Sequence, residues 1–437
     1  MPLPISDLPF QRLFGDLYKR LDDQGRLDGL MTTGTNVLTK HLFGRMKTQD
    51  AANAITFNMQ IELEAPFMAF RIGIPNIHTA PVTGVKACVG LSASAPAANY
   101  LVQTSPEGGE WIDCTFNGAA SVDLPKQIEA ERYSMTWSDL IELPSIARTD
   151  VANGRPIVVV RIEYPAGSKL TTPFNDLYYW RSIGPRIYCC SNQEVQGVTN
   201  KGAFTQNNVY SSGGDAKAVV PAIQYISQAR GHQLMLCGDS IVEGLGGDVR
   251  DYGAIQRAAY ELSTPARPIE YWNAGLHAQA PAVYSRMVDD HVDRVRPTVL
   301  FYAPWSVNDV AAGGITTAAL RRAKGALARV MATLQGKGQR PLVAILEALP
   351  CNTDYRAVGA ADSIRRDFNA VYLPSLSGVV LMSGYAAAIT GARDASGQDQ
   401  IREGAVNADK VHPNDVGHIL LKAIPKAFLT LLLDRVQ

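Results

Sequence analysis

QLMLCGDSIVEGLGG, residues 233–247, begins as an apolar run, passes through Gly-Asp-Ser and ends in a cluster of glycines. A buried strand that feeds directly into a helix is the repeating unit of a parallel α/β sheet. Residues just past such a strand stand at the carboxyl edge of the sheet, where ligands bind. Ser240 therefore has two readings. Ser240 or Asp239 caps the helix and satisfies an orphan backbone N–H. Alternatively, Ser240 is a nucleophile at a helix N-terminus, where free N–H groups and the helix dipole favour a developing oxyanion. The tripeptide alone favours the cap, so the rest of the chain has to supply a base, an orienting carboxylate and further donors.

The pattern downstream of 231 repeats the strand–helix unit. Buried-type strands are expected at 233–237, 268–272, 297–303, 341–347 and 377–382. Helical spacing fills the gaps, as in TTAALRRAKGALARVMATLQ, where Leu320, Ala323, Leu327, Val330 and Leu334 share a face. The C-terminal DVGHILLKAIPKAFLTLLLDRV is also helical, with a kink expected at Pro425. Upstream the rhythm is different. Short β-type runs at 54–63, 67–74, 85–92, 111–116, 133–137, 156–164 and 186–190 are separated by turn-rich stretches. That pattern predicts a β-sandwich or jelly roll. Four segments follow: a partly helical leader over 1–50, a β domain over 51–192, a polar Gly/Asn/Ser-rich linker over 193–230, and an α/β domain over 231–437.

Three further stretches leave core strands or lie in the last loop. YWNAG (271–275) offers the Gly275 backbone N–H to an oxyanion, or is a turn glycine. APWSVND (303–309) offers the uncharged amide of Asn308, or an Asx turn. NADKVHPND (407–415) places Asp409 three residues before His412, so both side chains fall on one side of a turn. Asp409 could then fix the imidazole tautomer and His412 take the Ser240 proton. Each stretch alone reads more simply as structure. Together they supply nucleophile, base, orienter and oxyanion donors in order. His418 in the last helix reads as structural and His277 as a loop histidine, while Asp309 and Glu243 read as solvated or supporting groups. The G-x-S-x-G elbow is absent around Ser240.

The series GDSIVEG (238–244), NAG (273–275), SVND (306–309) and DKVHP (409–413) resembles the SGNH, or GDSL-like, serine hydrolases over roughly the last 200 residues. The resemblance implies a flavodoxin-like three-layer α/β/α fold. It implies Ser240 as nucleophile, His412 as base and Asp409 as its orienter, with an oxyanion hole made of the Ser240 N–H, Gly275 and Asn308. Two departures stand out: Ile241 for the leucine of the GDSL word, and Ser306 where the third block usually has glycine. The β-rich first half is similar in layout to carbohydrate esterases of this superfamily in which a jelly roll precedes the hydrolase domain.

Composition bounds the partners. Lys+Arg and Asp+Glu each number 41 in 437 residues, for zero formal net charge, so neither nucleic acid nor an anionic membrane is expected as the main partner. No membrane span is expected, because no run of about 18 apolar residues occurs. MPLPISDLPFQRLFGDLYKR lacks the pattern of a secretory signal. The six cysteines show no metal spacing, and neither metal nor cofactor is expected. The expected activity is a serine esterase removing short acyl groups, acetyl foremost, from a small-molecule or glycan ester. A lipolytic esterase, thioesterase or O-acyltransferase would use the same triad, and a binding protein with a relic site is the remaining reading. The loops at 350–363 and 384–408 are expected to shape the pocket.

Overall fold

A computed structural model describes residues 35–94 except 43 and 52, 110–173 except 153, 187–192, 219–247, 252–309, 316–353, 355 and 361–435. The helical part of the leader expected around 10–21, the stretch FNDLYYWRS (174–182), whose aromatic rings are candidates for stacking on sugars, and the polar stretch 193–217 lie outside the described residues.

The organising element is one 17-residue strand, Ala222–Gly238. Its second half pairs in parallel with Ile269–Gly275 on one side and Val299–Tyr302 on the other. Leu342–Leu346 and Val380–Met382 extend the sheet, again in parallel. Numbered from the long strand, the order is 2-1-3-4-5, the order of a flavodoxin-like sheet. These strands are buried on both faces, which is why they read as continuous apolar runs. Helix Ala254–Leu262 packs against helix Asp415–Arg435, and helices Pro281–Tyr284 and Arg286–Val295 pack against Thr317–Gly336. Right-handed crossovers in a 2-1-3-4-5 sheet put these two groups on opposite faces, giving three layers. Among the described residues, one helix, Asp415–Asp434, is long and apolar enough to cross a membrane, and half of it is buried in this fold.

The first half of the long strand does something the sequence reading missed. Residues 222–231 pair antiparallel with Thr35–Lys40 and Phe67–Asn76, so 222–230 is strand rather than linker. The expected leader likewise contains two strands, Thr35–Lys40 and Met46–Asp50. The boundary drawn at 230 cuts a continuous strand. The partner change falls at Gly231, where an added Cβ would lie 2.3 Å from the Pro268 carbonyl. A second antiparallel sheet runs through Ile187–Asn192, Ile55–Glu62, Ile157–Tyr164, Val82–Ser92 and Ile112–Asp113. One continuous core joins Phe57 and Val160 of this sheet through Phe70 and Tyr225 to Leu236 and Phe301 of the parallel sheet.

Charged groups are buried where the two halves meet. The Lys40 ammonium lies 3.4 Å from Glu64 and 3.3 Å from Glu270, all three side chains being almost fully buried. The Tyr225 hydroxyl donates to Glu270 at 3.0 Å. Burial pushes the Glu270 carboxyl up to about 7 against the pull of Lys40. An acid whose folded pKa is raised binds its proton more tightly in the native state, so its share of stability is present below the unfolded pKa and fades as pH rises. The expected result is a melting temperature that falls between about pH 4.5 and 7, and a flatter profile in Glu270→Gln. Calorimetry across that range checks it, and a variant with the wild-type slope would remove Glu270 as the cause.

Candidate active site

The strand that ends at Gly238 delivers Asp239 and Ser240 to the carboxyl edge of the sheet. Gly238 has no room for a side chain, since a Cβ would sit 2.4 Å from Val242 Cγ2. Asp239 takes an extended N-cap conformation and its carboxylate accepts from Ile241 N at 3.0 Å. The cap is therefore Asp239, which leaves Ser240 as the first residue of the short helix Ser240–Glu243. A first helical residue has no intrahelical acceptor for its N–H.

Ser240 Oγ lies 2.8 Å from His412 Nε2, and His412 Nδ1 lies 2.6 Å from Asp409 Oδ2. Asp409 Oδ1 also accepts from the backbone N–H of Val411 at 3.1 Å and of His412 at 3.0 Å. The turn that makes this possible has Lys410 in the left-handed region at φ 66°. Partial burial would raise the Asp409 carboxyl, but its bonds to the His412 side chain and to the two backbone N–H groups outweigh that and hold it below the usual range. An ionised carboxylate only accepts, so Nδ1 carries the proton and Nε2 is left to accept from the serine hydroxyl.

Asn308 lies in the single 3₁₀ turn Val307–Asp309 after the third strand. One amide hydrogen goes to the Gln279 carbonyl at 3.2 Å. An amide nitrogen carries two hydrogens, so a second donor remains. Ser306 ties this turn to the cap of the helix that begins at Ser240. Its hydroxyl donates to Asp239 Oδ2 at 2.7 Å and accepts from Asn308 N at 3.1 Å. Burial raises the Asp239 carboxyl, and the Ser306 bond opposes that rise.

The Gly275 N–H donates to Asn273 Oδ1 at 3.1 Å, a partner only two residues back. The need for glycine is steric, because a Cβ would stand 2.5 Å from Glu243 N in the serine-bearing helix. Further along the same loop, Ala278 holds φ 59°, a conformation that an L-residue adopts only under constraint. The His277 ring stacks on His412, with centroids 5.9 Å apart and planes 17° apart. His418 is buried, sits 3.1 Å from the Leu245 carbonyl and is lowered to about 4 by burial, consistent with a structural role. Asp309 pairs with Arg322 at 2.8 Å. Glu243 is fully buried and accepts from Arg45 N at 2.9 Å, so it is not solvated.

A cavity of about 30 Å³ adjoins this centre. Its wall includes Asp239 and Ile241 on either side of Ser240, Val307 before Asn308 and Val411 before His412, together with Trp305 and Tyr385. About half of the stretch 384–408, expected as a long pocket loop, is regular structure. It holds helix Tyr385–Ile389 and the paired strands Thr390–Arg393 and Asp399–Ile401. The Asp362–Arg365–Asp399 ion pairs pin that hairpin in place. Among the described residues, no group of three or more His, Cys, Asp or Glu side chains could hold a metal ion.

No family model and no curated protein matches the chain. Among solved structures, a lipase/acylhydrolase from Enterococcus faecalis is 17% identical, over 47% of this chain and 99% of that one, with a TM-score of 0.35. A putative acylhydrolase from Bacteroides fragilis is 14% identical, over 47% of this chain and 88% of that one, with a TM-score of 0.35. An acetyl xylan esterase is 20% identical, over 46% of this chain and 98% of that one, with a TM-score of 0.33.

Proposed function

We propose that this chain is a serine hydrolase of carboxylic esters, acting through an acyl-enzyme on Ser240. The observation that carries the proposal is the continuous relay from Ser240 Oγ through the His412 ring to Asp409, with contacts of 2.8 and 2.6 Å. His412 Nε2 takes the serine proton as Oγ attacks the ester carbonyl. The Ser240 N–H and the second amide hydrogen of Asn308 serve the oxyanion. The imidazolium then protonates the leaving alcohol, and water activated by the same nitrogen releases the acid.

The acyl group is short, with acetyl as the best fit. What supports this is the small cavity beside Asp239 and Ile241, about 30 Å³ and bounded by Trp305, Val307, Leu349 and Val411, which suits one small group. The alcohol would be a polar one such as a sugar hydroxyl. Initial rates on p-nitrophenyl esters from C2 to C12 test the reading. Turnover confined to C2–C4 is expected, followed by deacetylation of acetylated glycans. A maximum at C8 or beyond would instead favour a lipolytic enzyme, and no turnover on any ester would overturn the proposal.

Asn308→Ala removes one oxyanion donor and is expected to lower kcat about 10²–10³-fold with little change in KM. Steady-state kinetics on p-nitrophenyl acetate check this. A wild-type kcat would remove Asn308 from the oxyanion site.

A further inference from the structure

We propose that Arg45, contributed by the β-rich first half, is a positioning residue that holds the loop beside the catalytic imidazole. This inference rests on the serine-hydrolase reading. Four contacts converge on Arg45. Its backbone N–H donates to the buried Glu243 carboxylate at 2.9 Å, at the end of the serine-bearing helix. Its Nη1 donates to the His277 carbonyl at 3.0 Å. Its Nε and Nη2 grip the two oxygens of Glu131 at 2.9 and 3.0 Å. A planar guanidinium that serves three acceptors at once is satisfied in very few geometries.

The neighbours of Arg45 press on the same place. Gly44 lies against the end of the second parallel strand, where an added Cβ would come within 1.7 Å of the Gly275 carbonyl oxygen. The Leu42 carbonyl accepts from Asn273 Nδ2 at 3.1 Å, and the same amide donates to the Glu243 carbonyl at 2.9 Å. Glu131 is itself anchored. It sits in a tight turn closed by the Glu129–Arg132 bridge. Arg132 pairs with Asp290 and Glu129 pairs with Arg286, both on or at the start of helix Arg286–Val295. The brace thus runs from the catalytic half into the first half and back to the His277 carbonyl. The held loop carries the His277 ring that stacks on His412, and the strained Ala278. Without the guanidinium, the left-handed Ala278 turn can relax, and the imidazole loses the ring that limits its tilt.

The test uses the full chain. Arg45→Met and Glu131→Gln are compared with wild type for kcat and KM on p-nitrophenyl acetate, for the rate of Ser240 labelling by a fluorophosphonate, and for melting temperature. A displacement of about 1 Å at a reacting group costs up to about 10²-fold. The expected result is a kcat reduced about 10–100-fold, a KM within about twofold of wild type, and labelling slowed in proportion. The double variant should be no slower than the slower single one, because the two side chains act as one brace. Glu131→Gln keeps the shape of its side chain and carries the test if Arg45→Met does not fold. A folded variant with wild-type kcat would overturn the inference and leave the hydrolase reading standing. A wild type that turns over no ester would sink the hydrolase reading, and the inference with it.

Discussion

Ser240→Ala is expected to abolish ester hydrolysis, with a loss on the order of 10⁶-fold in kcat and no change of fold. The magnitude follows from the triad acting as one unit. In the proposed mechanism Ser240 Oγ accepts the acyl group, and the proton that His412 Nε2 takes in the acylation step is that of the serine hydroxyl 2.8 Å away. His412→Ala should cost about as much, and the double variant barely more, because each single change already stops acyl transfer. The side chain lost is one hydroxyl at the start of a four-residue helix whose cap is Asp239, so the helix itself should persist. Rates on p-nitrophenyl acetate together with circular dichroism check both halves. A residual activity near wild type would mean that the observed turnover uses another nucleophile.

Asp409→Asn is expected to lower kcat on the order of 10⁴-fold, clearly less than removal of the serine. In the proposed mechanism Asp409 neither accepts the acyl group nor moves the transferred proton. It keeps the proton of His412 on Nδ1 through the 2.6 Å contact. An asparagine can turn its NH₂ toward Nδ1, which drives the imidazole to the other tautomer and leaves Nε2 protonated opposite Ser240. The backbone bonds from Val411 and His412 need only an oxygen acceptor, so an asparagine carbonyl can preserve the turn. KM should stay near wild type. A loss as large as that of Ser240→Ala would point to collapse of the turn rather than to the tautomer, and an unchanged rate would remove Asp409 from the mechanism.

The features that were readable in the sequence are local ones. An apolar run feeding into Asp-Ser, and a carboxylate three residues before a histidine, are set by backbone spacing within a few residues. The five parallel strands announce themselves because both faces are buried. What stayed hidden depends on distant partners. Residues 222–230 (AIQYISQAR) contain enough glutamine, serine and arginine to pass for a connection, and they become strand only because Thr35–Lys40 and Phe67–Asn76 flank them. The steric need for Gly275 could not be read until the serine-bearing helix was seen against it. In the sequence Ser306 is only a serine where glycine is usual, but its hydroxyl links Asp239 to the Asn308 turn. Arg45 has no motif at all, since its partners are 86 to 232 residues away.

That Ser240 is the nucleophile is tested most directly by trapping it. Intact-mass and peptide mass spectrometry after reaction with a fluorophosphonate should show one adduct, on Ser240, in wild type. The same adduct should be absent from Ser240→Ala and greatly slowed in His412→Ala. No adduct on the wild type, or an adduct on another residue that persists in Ser240→Ala, would contradict the account.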